Sequence, residues 1–229
     1  MSEPFIVFDL DDTMYLERDF AFSGFRAVGN WVRDELRIEE FEATCRTLFE
    51  KGERQHVFDQ ALALLLGSAP AEIIARLIDV YRGHAPDISL APDADRALRR
   101  FSARTGLITD GPSATQRAKV RALGLEGRIA CILLTGELGP NAGKPSPVAF
   151  RQMERLSGAS VGSLVYVADN PLKDFVTPRR RGWRTVMIER PGRIHRAPAP
   201  SAAHLAEVRL TSLDDLEGCL GRPTPQVTA

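Results

Sequence analysis

The sequence predicts a doubly wound parallel α/β sheet with an all-helical insertion after its first strand. Short apolar runs alternate with stretches of helical periodicity over residues 89–221, and this alternation is typical of right-handed β-α-β crossovers in a parallel sheet. Residues 15–88 break that rhythm, because they contain no convincing strand and repeat apolar residues at helical spacing. We therefore expect an α/β core built from residues 1–14 and 89–221, a helical insertion over 15–88 and a disordered tail over 222–229.

The elements follow from the same patterns. The predicted strands are short apolar runs, at residues 4–9, 104–109, 129–134, 163–168 and 184–188. The predicted core helices lie between the later strands, at residues 92–101, 113–123, 147–157 and 171–181. The insertion shows four amphipathic stretches, at residues 20–36, 39–51, 55–66 and 71–83. After a proline- and alanine-rich surface segment, a short strand at 206–210 and a helix at 212–219 complete the core.

The composition limits the classes of partner. Thirty basic and thirty acidic residues balance, which argues against a dedicated nucleic-acid or anionic-membrane surface. No apolar run approaches the roughly 20 residues that span a bilayer. The three cysteines lack the spacing of a metal or redox motif, and no leader pattern opens the sequence, so we expect reduced thiols and a cytoplasmic location. A monomer and a homodimer are both compatible with this composition.

The run Phe5–Asp9 and the residues after it contain the most informative pattern. An apolar strand ends in two carboxylates at alternate positions, Asp9 and Asp11, which extended geometry would direct to one face. Two carboxylates held so close to each other raise each other's pKa, and they need a cation or a proton between them. An isolated pattern of this kind is about as often an acidic loop as a site, so the rest of the chain has to decide.

Three further polar clusters follow apolar runs. Thr109 ends the second strand and Asp110 follows it, and Asp169 and Asp174 follow the fourth. Lys144, one of only four lysines in the chain, lies between them in sequence. Taken singly, such residues are more often helix caps or solvated side chains. Ligands of an open parallel sheet bind outside the carboxyl ends of the strands, so together these residues predict an active site.

With these motifs in this order, the chain resembles the haloacid dehalogenase superfamily of phosphotransferases and hydrolases, from residue 4 to about residue 190. The matching residues, in the order of the four motifs, are Asp9, Asp11 and Thr13; Thr109; Lys144; and Asp169 with Asp174. Asp110 stands where many relatives carry asparagine, at a position to which the resemblance assigns a backbone contact with substrate. The resemblance implies a Rossmann-like core and makes the insertion a cap that closes over the active site.

The chemistry of these residue types suits phosphoryl transfer. Asp9 is the expected nucleophile, forming an aspartyl phosphate. Mg²⁺ would neutralise the phosphoryl charge, held by Asp9, the backbone carbonyl of Asp11 and Asp169. Asp174 is expected to orient a metal-bound water or Lys144 instead of binding the metal itself.

The remaining roles concern protons and charge. Asp11 is the expected general acid and then the general base, which requires a pKa raised towards the working pH. Lys144 supplies positive charge beside Asp9, while Thr109 and the backbone around Asp110 bind phosphoryl oxygens. In the cap, Arg54 and His56 are the best candidates for substrate contact, because they lie in a predicted loop between two helices.

The leading hypothesis is a Mg²⁺-dependent phosphatase acting on a small phosphorylated metabolite. A dehalogenase needs neither a second catalytic aspartate nor a phosphate-balancing metal, so Asp11 and Asp169 argue against it. A phosphonoacetaldehyde hydrolase would need a cap lysine, for which Lys51 is available, but its motif replaces the second aspartate. A phosphomutase would use the same four motifs and stays open. A non-catalytic ligand-binding module on this fold is the alternative from a different class.

Overall fold

Six parallel strands form one sheet, in the order β3-β2-β1-β4-β5-β6, in a computed structural model that describes residues 3–220. The strands are β1 Phe5–Phe8, β2 Thr105–Thr109, β3 Cys131–Leu134, β4 Leu164–Ala168, β5 Arg184–Ile188 and β6 Val208–Leu210. The order reverses between β1 and β4, which is the doubly wound pattern. The predicted Rossmann-like sheet is confirmed, and the tail predicted over 222–229 lies outside the described residues.

The central strand β1 explains why the site can form where it does. All four of its residues are apolar and buried, as expected for a parallel strand that is covered on both faces. It pairs with β2 on one side and with β4 on the other. The residues that follow β1, β2 and β4 therefore meet at one edge of the sheet, beside the point where the strand order reverses.

A second compact unit, which spans residues 19–88, is all-helical. Its helices are α1 Glu17–Leu36, which begins two residues before the unit, α2 Phe41–Glu50, α3 Val57–Leu66 and α4 Ala71–Gly83. Aromatic rings fill its interior, with Phe25 in edge or tilted contact with Phe49, Phe58 and Tyr81. Gly24 is required on α1, because a side chain there would collide with the Tyr81 ring.

The core unit carries the remaining helices. They are α5 Pro92–Arg100, α6 Ser113–Ala122, α7 Val148–Ser157, α8 Val176–Arg180 and α9 Leu216–Leu220. Phe150 of α7 packs edge-on against Tyr166 of β4 and against Trp183, within one buried apolar cluster of the core. Within residues 3–220, no helix is both long and apolar enough to cross a membrane.

The helix predicted over 171–181 forms only over Val176–Arg180. The Asn170 side-chain oxygen accepts a hydrogen bond from the Leu172 N–H at 3.0 Å, and the Asn170 N–H donates to Asp174 Oδ2 at 3.0 Å. Such bonds between side chain and backbone compete with helical ones. The chain therefore turns until Phe175, and this turn holds Asp174 close to the end of β4.

A buried ion pair connects the end of β5 to the loop after β1. The Arg190 guanidinium donates to the carbonyl of Thr13 at 2.7 Å and to both oxygens of Asp93 at 2.9 and 3.0 Å. Asp93 also accepts from the Leu213 N–H at 2.7 Å. Although burial opposes the ionised carboxyl, these donors and the Arg190 charge hold the pKa of Asp93 below its usual value.

We expect Asp93→Ala to lower the free energy of unfolding by about 3–5 kcal/mol, because it strands a buried guanidinium without its partner. The matched control is Asp214→Ala, which breaks the half-exposed pair with Arg96 and should lower the free energy of unfolding far less, because exposed ion pairs contribute little. Urea unfolding at pH 7 measures both values. Equal losses in the two variants would show that the Asp93 pair is no more important than a surface contact.

Candidate active site

The predicted site residues converge at the carboxyl ends of three neighbouring strands. Asp9 follows β1, Thr109 is the last residue of β2, and Asp169 follows β4. All three side chains are buried, and so is Lys144. The Asp9 N–H donates to the Val167 carbonyl at 2.8 Å, which extends the β1–β4 pairing to the first residue of the site.

The Lys144 ammonium occupies the centre of this cluster. Its Nζ lies 2.8 Å from Asp9 Oδ1 and 2.8 Å from Asp174 Oδ1, and it donates to the Tyr166 hydroxyl at 3.0 Å. The Lys144 side chain is 0% exposed. Burial alone would favour the neutral amine, but the charges of Asp174 and Asp9 raise the pKa of Lys144 well above its usual value. Lys144 therefore carries a permanent positive charge between two carboxylates.

Three carboxylates crowd around that single charge. Asp9, Asp169 and Asp174 each offer an oxygen, and these oxygens lie within 4.8 Å of one another. Burial raises the pKa of Asp9 to about 6, although the charge of Lys144 opposes this. Burial, followed by the charges of Asp9 and Asp174, raises the pKa of Asp169 to about 9.

These carboxylates fit a divalent cation. Asp169 Oδ2 is buried and accepts no hydrogen bond from the described residues. Hard cations such as Mg²⁺ take carboxylate oxygens as ligands, and a bound cation would offset the repulsion that adds to burial in raising both pKa values. From the sequence, Asp174 is expected to orient a water or Lys144 without binding the metal. Its carboxylate lies in the same cluster as those of Asp9 and Asp169, because the turn after β4 holds it there.

Among the described residues, the contacts of the Asp11 side chain lie outside the cluster of carboxylates. Its Oδ1 lies 2.7 Å from Lys119 Nζ and accepts from the Tyr15 hydroxyl, while its Oδ2 accepts from Gln116 Nε2 at 3.3 Å. The expectation of a raised pKa for Asp11 is wrong. Burial acts in that direction, but the charge of Lys119 and the hydrogen bonds from Lys119, Tyr15 and Gln116 lower it.

The Asp110 side chain organises the loops around the site. It accepts hydrogen bonds from the Thr135 hydroxyl at 2.8 Å, from the Lys144 N–H at 3.1 Å and from Lys173 Nζ at 3.2 Å. Sequence reasoning gave this position only a backbone role towards substrate. The carboxylate instead fixes the backbone of Lys144, so it helps to set where that ammonium points.

Residues 5–175 match the model of the haloacid dehalogenase-like hydrolases. The chain belongs to this family.

Its relatives in this family include two phosphatases. The chain is 30% identical over 195 residues to a glyceraldehyde 3-phosphate phosphatase from Methanocaldococcus jannaschii, covering 80% of this chain and 83% of that one. It is 33% identical over 140 residues to a phosphoserine phosphatase from Thermus thermophilus, covering 60% of this chain and 55% of that one, so the chain spans about half the length of that relative. A 2-haloacid dehalogenase from Pseudomonas syringae has the same fold at 22% identity, with a TM-score of 0.65 over 96% of this chain and 99% of that one.

Several residues around the site were not found by sequence reasoning. They are Gln116, Lys119, Tyr166 and Lys173, all of which contact a predicted site residue. Gln116 and Lys119 had a readable signal, because they lie three residues apart on the helix that follows Thr109 and so share a face. Tyr15, which sequence reasoning placed in the insertion, belongs to the core unit.

The two candidate cap residues lie in the helical unit. The Arg54 guanidinium lies 3.9 Å from the centre of the Phe49 ring and donates to the carbonyls of Phe49 and Glu53. The His56 side chain is 73% exposed, and its Nδ1 lies 3.5 Å from Asp59 Oδ1. Arg54 thus stabilises its own loop, while His56 has most of its surface open to solvent.

The crowded carboxylates predict an unusual pH dependence of stability without metal. Asp169 has a pKa of about 9 in the folded state against about 3.9 in an unfolded chain. Between these values the folded state binds more protons, so the free energy of unfolding in EDTA should fall as the pH rises from 5 to 9. Asp169→Asn should reduce this slope and make the metal-free protein more stable than wild type at pH 8.

Urea unfolding in EDTA at several pH values measures the effect. Exposed Asp79 supplies the control, because Asp79→Asn should leave the wild-type slope unchanged. MgCl₂ should stabilise the wild type more than Asp169→Asn. A metal-free variant less stable than wild type at pH 8 would show that Asp169 is not under electrostatic stress.

Proposed function

We propose that this protein is a Mg²⁺-dependent phosphomonoester hydrolase that acts on a small phosphorylated metabolite through an aspartyl phosphate on Asp9. The observation that carries the proposal is the buried Lys144 ammonium, 2.8 Å from Asp9 and 2.8 Å from Asp174, beside a third carboxylate with an unpartnered oxygen. A buried nucleophile with a fixed counter-charge suits attack on a phosphate dianion. Two phosphatases among the relatives support the same chemistry.

The first step transfers the phosphoryl group to the protein. An Asp9 carboxylate oxygen attacks phosphorus, the bond to the leaving oxygen breaks, and Asp11 gives that oxygen a proton. Lys144 offsets the charge on Asp9 and on the incoming group. Thr109 Oγ1 and backbone N–H groups around Asp110 bind the phosphoryl oxygens as their charge is redistributed.

The metal belongs to the same proposal. Asp9, Asp169 and the backbone carbonyl of Asp11 would hold Mg²⁺, and Asp174 would orient Lys144 or a water. When bound, the ion supplies positive charge that neutralises phosphoryl oxygens. Oxygen donors alone make up this ligand set, which favours Mg²⁺ over a softer metal.

The second step releases phosphate. Water attacks phosphorus, Asp11 accepts its proton, and the bond to Asp9 breaks. The ionised form of Asp11, which Lys119 favours, is the form that this step needs. The first step needs the protonated form, and a phosphate dianion bound beside Asp11 shifts the carboxyl in that direction, because like charge raises a carboxyl pKa.

The helical unit would select the substrate, while the core fixes the reaction. Every group assigned to phosphoryl chemistry lies outside residues 15–88, and Arg54 and His56 lie inside them. Both phosphatase relatives are named for small phosphomonoesters, which supports a small metabolite as substrate. The proposal also includes a reducing cytoplasm, since Cys45 and Cys131 are free thiols, and no nucleic-acid or membrane partner.

Asp9→Asn should reduce hydrolysis of p-nitrophenyl phosphate at least about 10³-fold, because it removes the nucleophile without changing side-chain volume. The melting temperature tests whether the variant is folded. A crystal grown with Mg²⁺ and beryllium fluoride should show the fluoride complex on an Asp9 oxygen. Activity within tenfold of wild type, or a complex on Asp11 or Asp12, would remove Asp9 from its role. Metal-independent halide release from a 2-chloro acid, without phosphate release, would favour dehalogenation.

Arg54→Ala and His56→Ala should raise the KM for the best substrate of a phosphorylated-metabolite panel at least fivefold. Hydrolysis of p-nitrophenyl phosphate should change far less, because that ester offers the cap little to hold. Arg76, exposed on α4, provides the control, and Arg76→Ala should leave both activities unaltered. Equal proportional losses on both substrates would assign this loop to folding or closure, not to recognition.

A further inference from the structure

Two side chains of helix α6 contact the carboxylate of Asp11. Lys119 Nζ lies 2.7 Å from Asp11 Oδ1, and Gln116 Nε2 donates to Asp11 Oδ2 at 3.3 Å. The Lys119 side chain is only 4% exposed, and Gln116 is buried as well. Burying an ammonium is costly unless its partner repays the lost hydration, so this contact calls for an explanation.

The two oxygens of Asp11 have different surroundings. Oδ1 accepts from both Lys119 Nζ and the Tyr15 hydroxyl. Oδ2 accepts only the longer bond from Gln116 among the described residues. Because Oδ1 already has two donors, Oδ2 is the oxygen with capacity to exchange a proton with a reacting group.

Gln116 also connects Asp11 to the phosphoryl-binding hydroxyl. Its side-chain oxygen accepts a hydrogen bond from Thr109 Oγ1 at 3.2 Å, while its amide nitrogen donates to Asp11. The Gln116 side chain thus connects Asp11, which is proposed to transfer protons, with Thr109, which is proposed to bind phosphate. This bridge fixes the direction of both groups relative to each other.

The backbone around Asp11 is held independently of Lys119. The N–H groups of Thr13 and Met14 donate to the Leu10 carbonyl, and the Asp12 carboxylate accepts from the N–H groups of Glu17 and Ile194. What Lys119 and Gln116 restrain is therefore the side-chain torsion angles of Asp11. A pair that served only to hold the loop would not need to contact this carboxylate.

We propose that Lys119 and Gln116 are positioning residues for proton transfer, and that Asp11 Oδ2 is the atom that carries the proton. This inference rests on the proposed phosphatase function. In the first step Oδ2 gives its proton to the leaving oxygen as the phosphorus–oxygen bond breaks. In the second step Oδ2 takes a proton from the attacking water. Lys119 holds Oδ1 in both steps.

The test compares two esters that differ in their need for an acid. An alkyl phosphate such as β-glycerophosphate needs a proton on its leaving oxygen, whereas p-nitrophenolate leaves readily without one. Lys119→Met, which keeps the length and removes the charge, should reduce kcat/KM for the alkyl ester at least tenfold more than for p-nitrophenyl phosphate. Lys119→Arg should recover part of that difference, because it restores a cationic donor. The values must be kcat/KM, since Asp11 serves both steps.

Lys173→Met is the matched control, because Lys173 also pairs with a partly buried carboxylate, that of Asp110, but does not contact Asp11. It should change both esters by the same factor. In the Asp11→Asn background, Lys119→Met should add no further difference between the esters, since the group it positions is absent.

The outcomes separate the inference from the proposed function. If Asp11→Asn discriminates between the esters but Lys119→Met lowers both equally, Lys119 is structural and the inference is overturned. If Lys119→Met leaves both values at wild type, the inference is also overturned. If Asp11→Asn itself shows no discrimination, the acid role fails, and the positioning role fails with it. A wild type without phosphatase activity overturns the proposed function first.

Discussion

The site depends on one buried ammonium placed among three buried carboxylates. Lys144 contacts Asp9 and Asp174 at 2.8 Å each, and Asp169 completes the group. Burial, followed by repulsion from neighbouring carboxylates, raises the pKa values of Asp9 and Asp169, and the charge of Lys144 offsets this only in part. These carboxylate oxygens suit a cation, and the fold positions them through the ends of adjacent parallel strands.

A second lysine gives Asp11 a different environment from Asp9, two residues away. Asp9 pairs with Lys144 in the carboxylate cluster, while Asp11 pairs with Lys119 from α6. Their pKa values move apart, with Asp9 raised mainly by burial and Asp11 lowered because the charge of Lys119 and the hydrogen bonds from Lys119, Tyr15 and Gln116 together outweigh burial. Separate environments are how one site assigns different roles to similar carboxylates. A cation beside Asp9 would favour the ionised carboxylate that attacks phosphorus. A phosphate beside Asp11 would favour the protonated carboxyl that the first step needs.

Sequence reasoning found the site residues whose positions follow from the ends of strands. It missed the residues that reach the site only through tertiary contacts. The convergence of Asp9, Thr109 and Asp169 follows from apolar strands of a parallel sheet, so it could be read directly. The expectation that Asp11 projects with Asp9 assumed extended geometry, but β1 ends at Phe8 and Asp12 has a positive φ of 51°. The contact of Lys119 with Asp11 joins residues 108 positions apart, which no local pattern reveals.

The central claim is that Asp9 carries the phosphoryl group during turnover. The most direct measurement is to quench the working enzyme in acid, reduce the acyl phosphate with borohydride and locate the resulting homoserine by peptide mass spectrometry. The account predicts homoserine at position 9, and only when a phosphate ester and Mg²⁺ are present. Homoserine at position 11 or 12, or none in an enzyme that turns over and accumulates acid-stable protein-bound phosphate, would contradict it.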